Sequence, residues 1–327
     1  MADTKTTALT ANTAPLATDL LYMVDDPGGS ALSQKLTFAT ARESLALGVT
    51  PTGRLTLTTA TPVTTADVSA ATTLYYTPYN GNMISLYDGT SWRTVSYVEV
   101  SIALAALTAS KPYDIFGVLT AGTLALEALV WTNGTTRATA LAYQDGRLVK
   151  SGAATRLYLG SIYVNASGGQ TDDSLLKRFV WNYYNRVSRP FFIIEATNSW
   201  TYTTATYRPW NNSTANRAQF IIGVSEDIVK LVFTALGAHS VAGYTRVSGI
   251  GLDVTDADSS GLPGFGSAAD VSEYQAAIAT FNKVVAAGYH YLQLLEYAEA
   301  GGGTVATWWG DVGVTYIQSG ATGEVKG

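Results

Sequence analysis

Along most of this chain apolar and polar residues alternate in runs of about four to eight, a length that fits strands rather than helices. In "TTLYYTPYNGNMISLYDGTSWRTVSYV" the pairs Asn80-Gly81 and Asp88-Gly89 separate aromatic and β-branched runs, and Asn133-Gly134 and Asp145-Gly146 repeat the arrangement further on. Such pairs tolerate the positive φ that a two-residue hairpin turn demands. The pattern predicts a meander of short antiparallel strands between Ala71 and Val164.

Beyond the meander, "RFVWNYYNRV" and "FFII" read as strands on either side of Pro190, and "AQFIIGV", "IVKLVFTALGAH" and "TRVSGIGLDV" as three more. In "SWTYTTATYRPW" Trp200, Tyr202 and Thr204 alternate with Thr201, Thr203 and Ala205, so both faces are semi-apolar. That suits a sandwich strand whose second face either meets a neighbouring chain or is a solvent surface tolerant of Thr. "GYHYLQLLEYAEA" followed by "GGTVATWWGDVG" reads as a late hairpin. One segment departs from the strand period: in "AADVSEYQAAIATFNKVVAAG", Val271, Tyr274, Ile278 and Phe281 recur near every 3.6 residues and predict a helix. The expected architecture is all-β, an antiparallel β-sandwich of jelly-roll-like or related topology.

The front of the chain differs. "APLATDLLYMVDDPGG" carries a hard turn from Asp25 to Gly29, and "SQKLTFATARESL" ends in a helix-like tail. Short strands on so small a piece leave their edges unpaired and bury little. Two readings stay open: an adapter completed by another chain, or a strand pair docked on the main domain. The expected organisation is an N-terminal attachment module and linker over 1–61, a short β-hairpin neck over 62–98, and a C-terminal sandwich over 99–327.

Composition narrows the function classes. Hydrophobic residues make up 47% of the 327, enough for a substantial core, while only 14% are charged and the net charge is -5. Sparse charge of that sign argues against a nucleic-acid partner, whose contact face needs clustered Lys and Arg. With no cysteine there is neither a disulfide nor a thiolate metal site. No run reaches the roughly 20 apolar residues of a membrane helix, and "MADTKTTALT" does not read as a secretory leader, so synthesis in the cytoplasm without membrane insertion is expected.

The catalytic inventory is thin, and no enzyme activity is expected. His239 and His290 sit in apolar strand-like runs and read as packed histidines. Glu195, Glu226, Asp227, Asp253 and Glu296 could supply a glycosidase pair only if the fold brought two of them together. "DVTDADSSGLPGFG" places Asp256, Asp258, Ser260 and Gly261 in the rhythm of a calcium loop, but Ser267 stands where the closing Glu belongs, and an acidic turn without metal is the expectation. The Asn-X-Ser/Thr matches at Asn133, Asn165, Asn211 and Asn212 read as turns. No cofactor is expected. Tyr207, Trp210, Trp308 and Trp309 read first as core or subunit-interface packing; as surface residues they are the candidates for glycan stacking, with at most one of the two adjacent tryptophans on any face.

"KRFVWNYYNRVSRP", "NSWTYTTATYRPWNNSTANRAQFIIGVSED", "GIGLDVTDADSSG" and the C-terminal "GYHYLQLLEYAEAGGGT…WWGD…QSGATGEVKG" resemble a group of tailed-bacteriophage virion proteins. The opening "APLATDLLYMVDDPGG…SQKLTFATARESL" is similar to the attachment segment at the front of many phage tail-fibre and appendage proteins. The resemblance implies a homotrimer fixed to other virion proteins by its N-terminus, made in the host cytoplasm and located on the virion. It implies that Leu20, Leu21, Tyr22 and Val24 belong to the docking module, and that the C-terminal sandwich faces solvent or host, with a host-surface glycan as the candidate partner there. A tail-associated role in host attachment is the first expectation. The alternatives are a head-surface fibre or decoration protein, and an appendage enzyme that degrades glycans.

Overall fold

The structure, a computed structural model, describes strands 20–25 and 32–37 and residues 49–327, apart from 268, 269, 272, 302, 312 and 314–317. Among the described residues the regular elements are strands, with a single three-residue 3-10 turn at Trp210–Asn212. β1 (Leu20–Asp25) pairs antiparallel with β2 (Leu32–Thr37), and the predicted docking residues Leu20, Leu21, Tyr22 and Val24 all fall on β1. The helix-like tail expected at 38–45 lies outside the described residues.

The first half of the body is built from local pairings. β3 (Gly53–Thr56), β5 (Thr73–Pro78) and β8 (Val100–Ala103) form a small sheet, and β6 (Met83–Tyr87) and β7 (Trp92–Ser96) a hairpin. The predicted meander runs in the order β10 (Thr123–Val130), β9 (Lys111–Thr120), β13 (Ala153–Val164), β12 (Arg147–Lys150) and β11 (Leu141–Gln144), with β16 (Val180–Asn182) also on β13. Asp145 and Gly146, at φ 50° and 80°, form the expected two-residue turn, with Gln144 opposite Arg147. Ala121 and Gly122, at φ 49° and 81°, make the same turn between β9 and β10. The hairpin expected at Asn80-Gly81 does not form, because β5 and β6 belong to different sheets and the Tyr79 and Asn80 N–H groups donate to Thr52 instead.

The second half is a sandwich. One sheet has eight strands: β23 (Gly264–Ser267), β22 (Thr245–Leu252), β25 (Gly288–Ala298), β20 (Arg217–Ile222), β15 (Lys177–Arg178), β14 (Thr171–Ser174) and β4 (Val68–Ala71) in order, with β19 (Arg208–Pro209) on β25. The other has six: β17 (Ser188–Ile194), β27 (Gly320–Lys326), β21 (Ile228–His239), β26 (Ala306–Trp309) and β18 (Ser199–Tyr202), with β24 (Gln275–Val284) along the remaining edge of β21. Phe220, Ile250, Leu292 and Leu294 of the first sheet pack with Phe191, Leu231, Phe233 and Phe281 of the second in one buried cluster. The all-β, sandwich-like expectation is met.

Three expectations fail for physical reasons. The helix predicted around Val271 to Phe281 is the strand β24, because it pairs with β21 over ten residues, from Ile228 opposite Val284 to Gly237 opposite Gln275. That ladder buries Ala277, Ala279 and Phe281 on one face, and such tertiary pairing overrides local propensity. The late hairpin does not form either: β25 and β26 sit in opposite sheets. The segment boundaries at 61/62 and 98/99 cut through a single core, since Leu55, Leu57, Leu74, Ile84 and Leu86 pack with Ile115, Leu157 and Leu159. Arg54, pushed down to about 10 by burial, also ties the front of the body to its far end, donating to Pro62, Asn185 and Gly327 carbonyls.

Candidate functional site

β26 alternates strictly, Ala306 and Trp308 inward and Thr307 and Trp309 outward. Trp308 is therefore fully buried, while Trp309 lies half-buried against Tyr274 at 4.7 Å. Trp210 is also fully buried, edge-on to Trp200 at 5.1 Å and to Phe233 at 4.9 Å. Burial takes Trp210 and Trp308 out of any glycan-stacking surface. Of the other two candidates, Tyr207 is half-buried beside Tyr297, at 5.4 Å. The four aromatics do not form one platform.

Beneath Trp200 lies a buried carboxylate. Glu296 has no exposed surface; it accepts hydrogen bonds from Trp200 Nε1 at 2.6 Å and Arg208 Nε at 2.7 Å, and Arg208 in turn lies over the Tyr202 ring at 3.9 Å. Burial holds the Glu296 carboxyl above its ordinary range, against the pull of Trp200 and Arg208. Glu195, though partly desolvated, is held below its ordinary value by hydrogen bonds from Asn216 and Thr197. Glu226 and Asp227 both bind Arg186. Asp253 Oδ2 faces His290 Nδ1 at 2.7 Å, with Ala286 O at 3.0 Å from the other ring nitrogen, and Asp253 Oδ1 accepts the Tyr291 N–H. His239 is buried and stacked on Tyr244.

Asp258, the centre of the calcium-like rhythm, turns its oxygens onto protein donors: Oδ1 accepts the Ile250 and Ser260 N–H groups and Oδ2 accepts the Ser260 hydroxyl. Asp256, two residues before it, is exposed. Among the described residues, no group of three or more His, Cys, Asp or Glu is placed to hold a metal ion. The Asn-X-Ser/Thr positions are turns: the Asn133 and Asn165 side chains accept backbone N–H groups two residues on, and Asn211 and Asn212 have φ of 53° and 52°.

The two-faced strand expected at Trp200 to Ala205 exposes only Ser199 and Thr201 on β18, while Trp200 is half-buried and Tyr202 buried. An apolar outer face exists elsewhere, on the same sheet. Strand register sets Phe192, Thr322, Val232 and Thr280 in one row across β17, β27, β21 and β24, and Ile194, Gly320, Thr234 and Ile278 in the next. Phe192, Val232 and Ile278 are 45%, 43% and 52% exposed. Phe192, Ile194, Val232 and Thr234 flank a groove of about 310 Å³ over β27. Leu262, bridged to Thr280 of β24, adds one more exposed apolar side chain. The next row of the same face, Pro190, Glu324, Lys230 and Asn282, carries an ion pair, Lys230 to Glu324 at 3.4 Å. Alternation in "IVKLVF" was legible; which neighbours would leave Val232 uncovered depended on long-range pairing.

No family model matches this chain, and no curated protein does. Among solved structures, the insecticidal delta-endotoxin Cry8Ea1 from Bacillus thuringiensis is similar over 84% of this chain and 51% of that one, at 9% identity and a TM-score of 0.25. The chain thus spans about half the length of that structure, and a likeness so loose carries no functional argument.

Proposed function

We propose that this chain is a structural subunit of a tailed-bacteriophage particle: a short homotrimeric fibre or appendage, tail-associated, docked by its N-terminal segment and presenting the β-sandwich for host attachment. The observation that carries the reading is the outer face of the β17–β27–β21–β24 sheet, where Phe192, Val232 and Ile278 stand exposed on a sheet whose inner face is already a core. Large apolar side chains left exposed among threonines on a rigid sheet suit a place where chains meet. The resemblance of the opening segment and of several later stretches to phage virion proteins supplies the context. Of the carboxylates considered for a hydrolytic pair, Glu226 and Asp227 engage Arg186 and Glu296 engages Trp200 and Arg208, which favours assembly over glycan cleavage.

The test is a reconstruction of the intact particle with the chain located in it. Threefold density at the tail that accommodates the sandwich, with β1 and β2 toward the particle, is the expected result. Density on the head surface would replace the tail role by a head-fibre or decoration role, and absence from purified particles would overturn the proposal.

A further inference from the structure

Where β9 turns into β10, Tyr87, Asp88, Thr120, Glu127, Thr155 and Arg156 line a groove of about 330 Å³. A second groove of about 420 Å³ shares Asp88 and Leu119 with it and adds Arg93, so the two lie side by side around Asp88. Tyr87 is braced from behind: its ring lies 5.5 Å from that of Trp92, whose Nε1 donates to Asp145 at 2.9 Å and whose face is covered by Arg147 at 4.7 Å. Asp88 is braced too, accepting the Thr90 and Ser91 N–H groups.

The charges around the double groove do not cancel. Arg156 Nε reaches both Glu127 oxygens at 3.0 Å, Lys150 Nζ lies 4.0 Å from the same carboxylate, and Arg93 Nε is 3.2 Å from Asp88. Within the lining Arg93 and Arg156 match Asp88 and Glu127, so the positive charge in excess is that of Lys150, which stands beside Glu127 just outside the lining. A held aromatic ring offers a flat apolar face, threonine and aspartate oxygens suit hydroxyl groups, and a partly exposed guanidinium suits a carboxylate.

We propose that this double groove binds an anionic oligosaccharide, with Tyr87 under a sugar ring and Arg156, aided by Lys150, on its carboxylate. The inference rests on the host-attachment reading above and gives that attachment a place and a ligand class. It also moves the contact from the tryptophans of the sandwich to the tip of the meander.

Calorimetric titration of the full-length protein with an oligogalacturonate tests it, against an uncharged malto-oligosaccharide of equal length and a short polyglutamate peptide. The expected result is binding of the galacturonate alone, weakening as salt is raised. Arg156→Gln and Tyr87→Ala should each reduce affinity about tenfold or more, with Arg156→Gln, a half-exposed position, leaving the thermal melt unchanged. No binding of the galacturonate, equal binding of the malto-oligosaccharide or the peptide, or wild-type affinity in Arg156→Gln would each overturn the inference. Any of those outcomes leaves the virion role to be decided by its own test, the location of the chain in the particle.

Discussion

Replacing Trp210 with alanine removes a fully buried indole wedged between Trp200 and Phe233. The variant should lose about 3–5 kcal/mol of stability, read from its denaturation midpoint; an unchanged midpoint would put the ring at the surface. Glu296 sets a pH dependence. Because burial raises its carboxyl above the ordinary 4.5, the folded chain holds that proton more tightly than the unfolded chain does. Its contribution to stability is full below 4.5 and is lost as pH rises through the raised value. Glu195 runs the other way: its lowered carboxyl contributes above 4.5 and loses that contribution as pH falls through the lowered value. Glu296→Gln should therefore flatten the decline in stability between pH 4.5 and neutrality while leaving the more acidic limb in place. A decline as steep as in the parent would show that Glu296 is not its source. The packing reading of Trp210 was legible, but its partners and those of Glu296 were not. Trp210 stands in a polar stretch, "RPWNNST", and the partners of Glu296 lie on β18 and β19, far away in the chain.

Strands with strict alternation and turns with a left-handed glycine were the elements most open to reading. "IVKLVFTALGAH" became β21 without a shift of boundary, since its inward Val229, Leu231, Phe233 and Ala235 fit no helical face. The Asp145-Gly146 turn was equally legible, because few residues accept φ of 80° at its second position. Gly146→Ala should cost about 1–2 kcal/mol from backbone strain alone, as a Cβ there meets nothing within 4 Å. An unchanged thermal melt would contradict that. β24 was misread because alanine is neutral to both faces: with Ala276, Ala277 and Ala279 silent, the spacing of Val271, Tyr274, Ile278 and Phe281 mimics a helix. Its strand state depends on the ladder to β21, which only the tertiary fold supplies.

At the scale of the molecule, the all-β class and the sandwich followed from composition and turn spacing, but the division of the chain did not. Leu55 and Leu57 are buried in the same core as Leu157 and Leu159, so the attachment module cannot extend to 61. A chain beginning at residue 49 should melt as the parent does, whereas one beginning at 62 loses both leucines and the Arg54 hydrogen bonds and should fail to fold cooperatively. Equal melts for the two truncations would restore the longer module. The central claim is that the outer face of β21 and its neighbours joins copies of this chain, and light scattering of the purified protein addresses it most directly. The expected mass is about 104 kDa, three times 34.6 kDa, falling toward a single chain in Val232→Lys with the strand content unchanged. A parent protein that stays at 34.6 kDa at every concentration would contradict it.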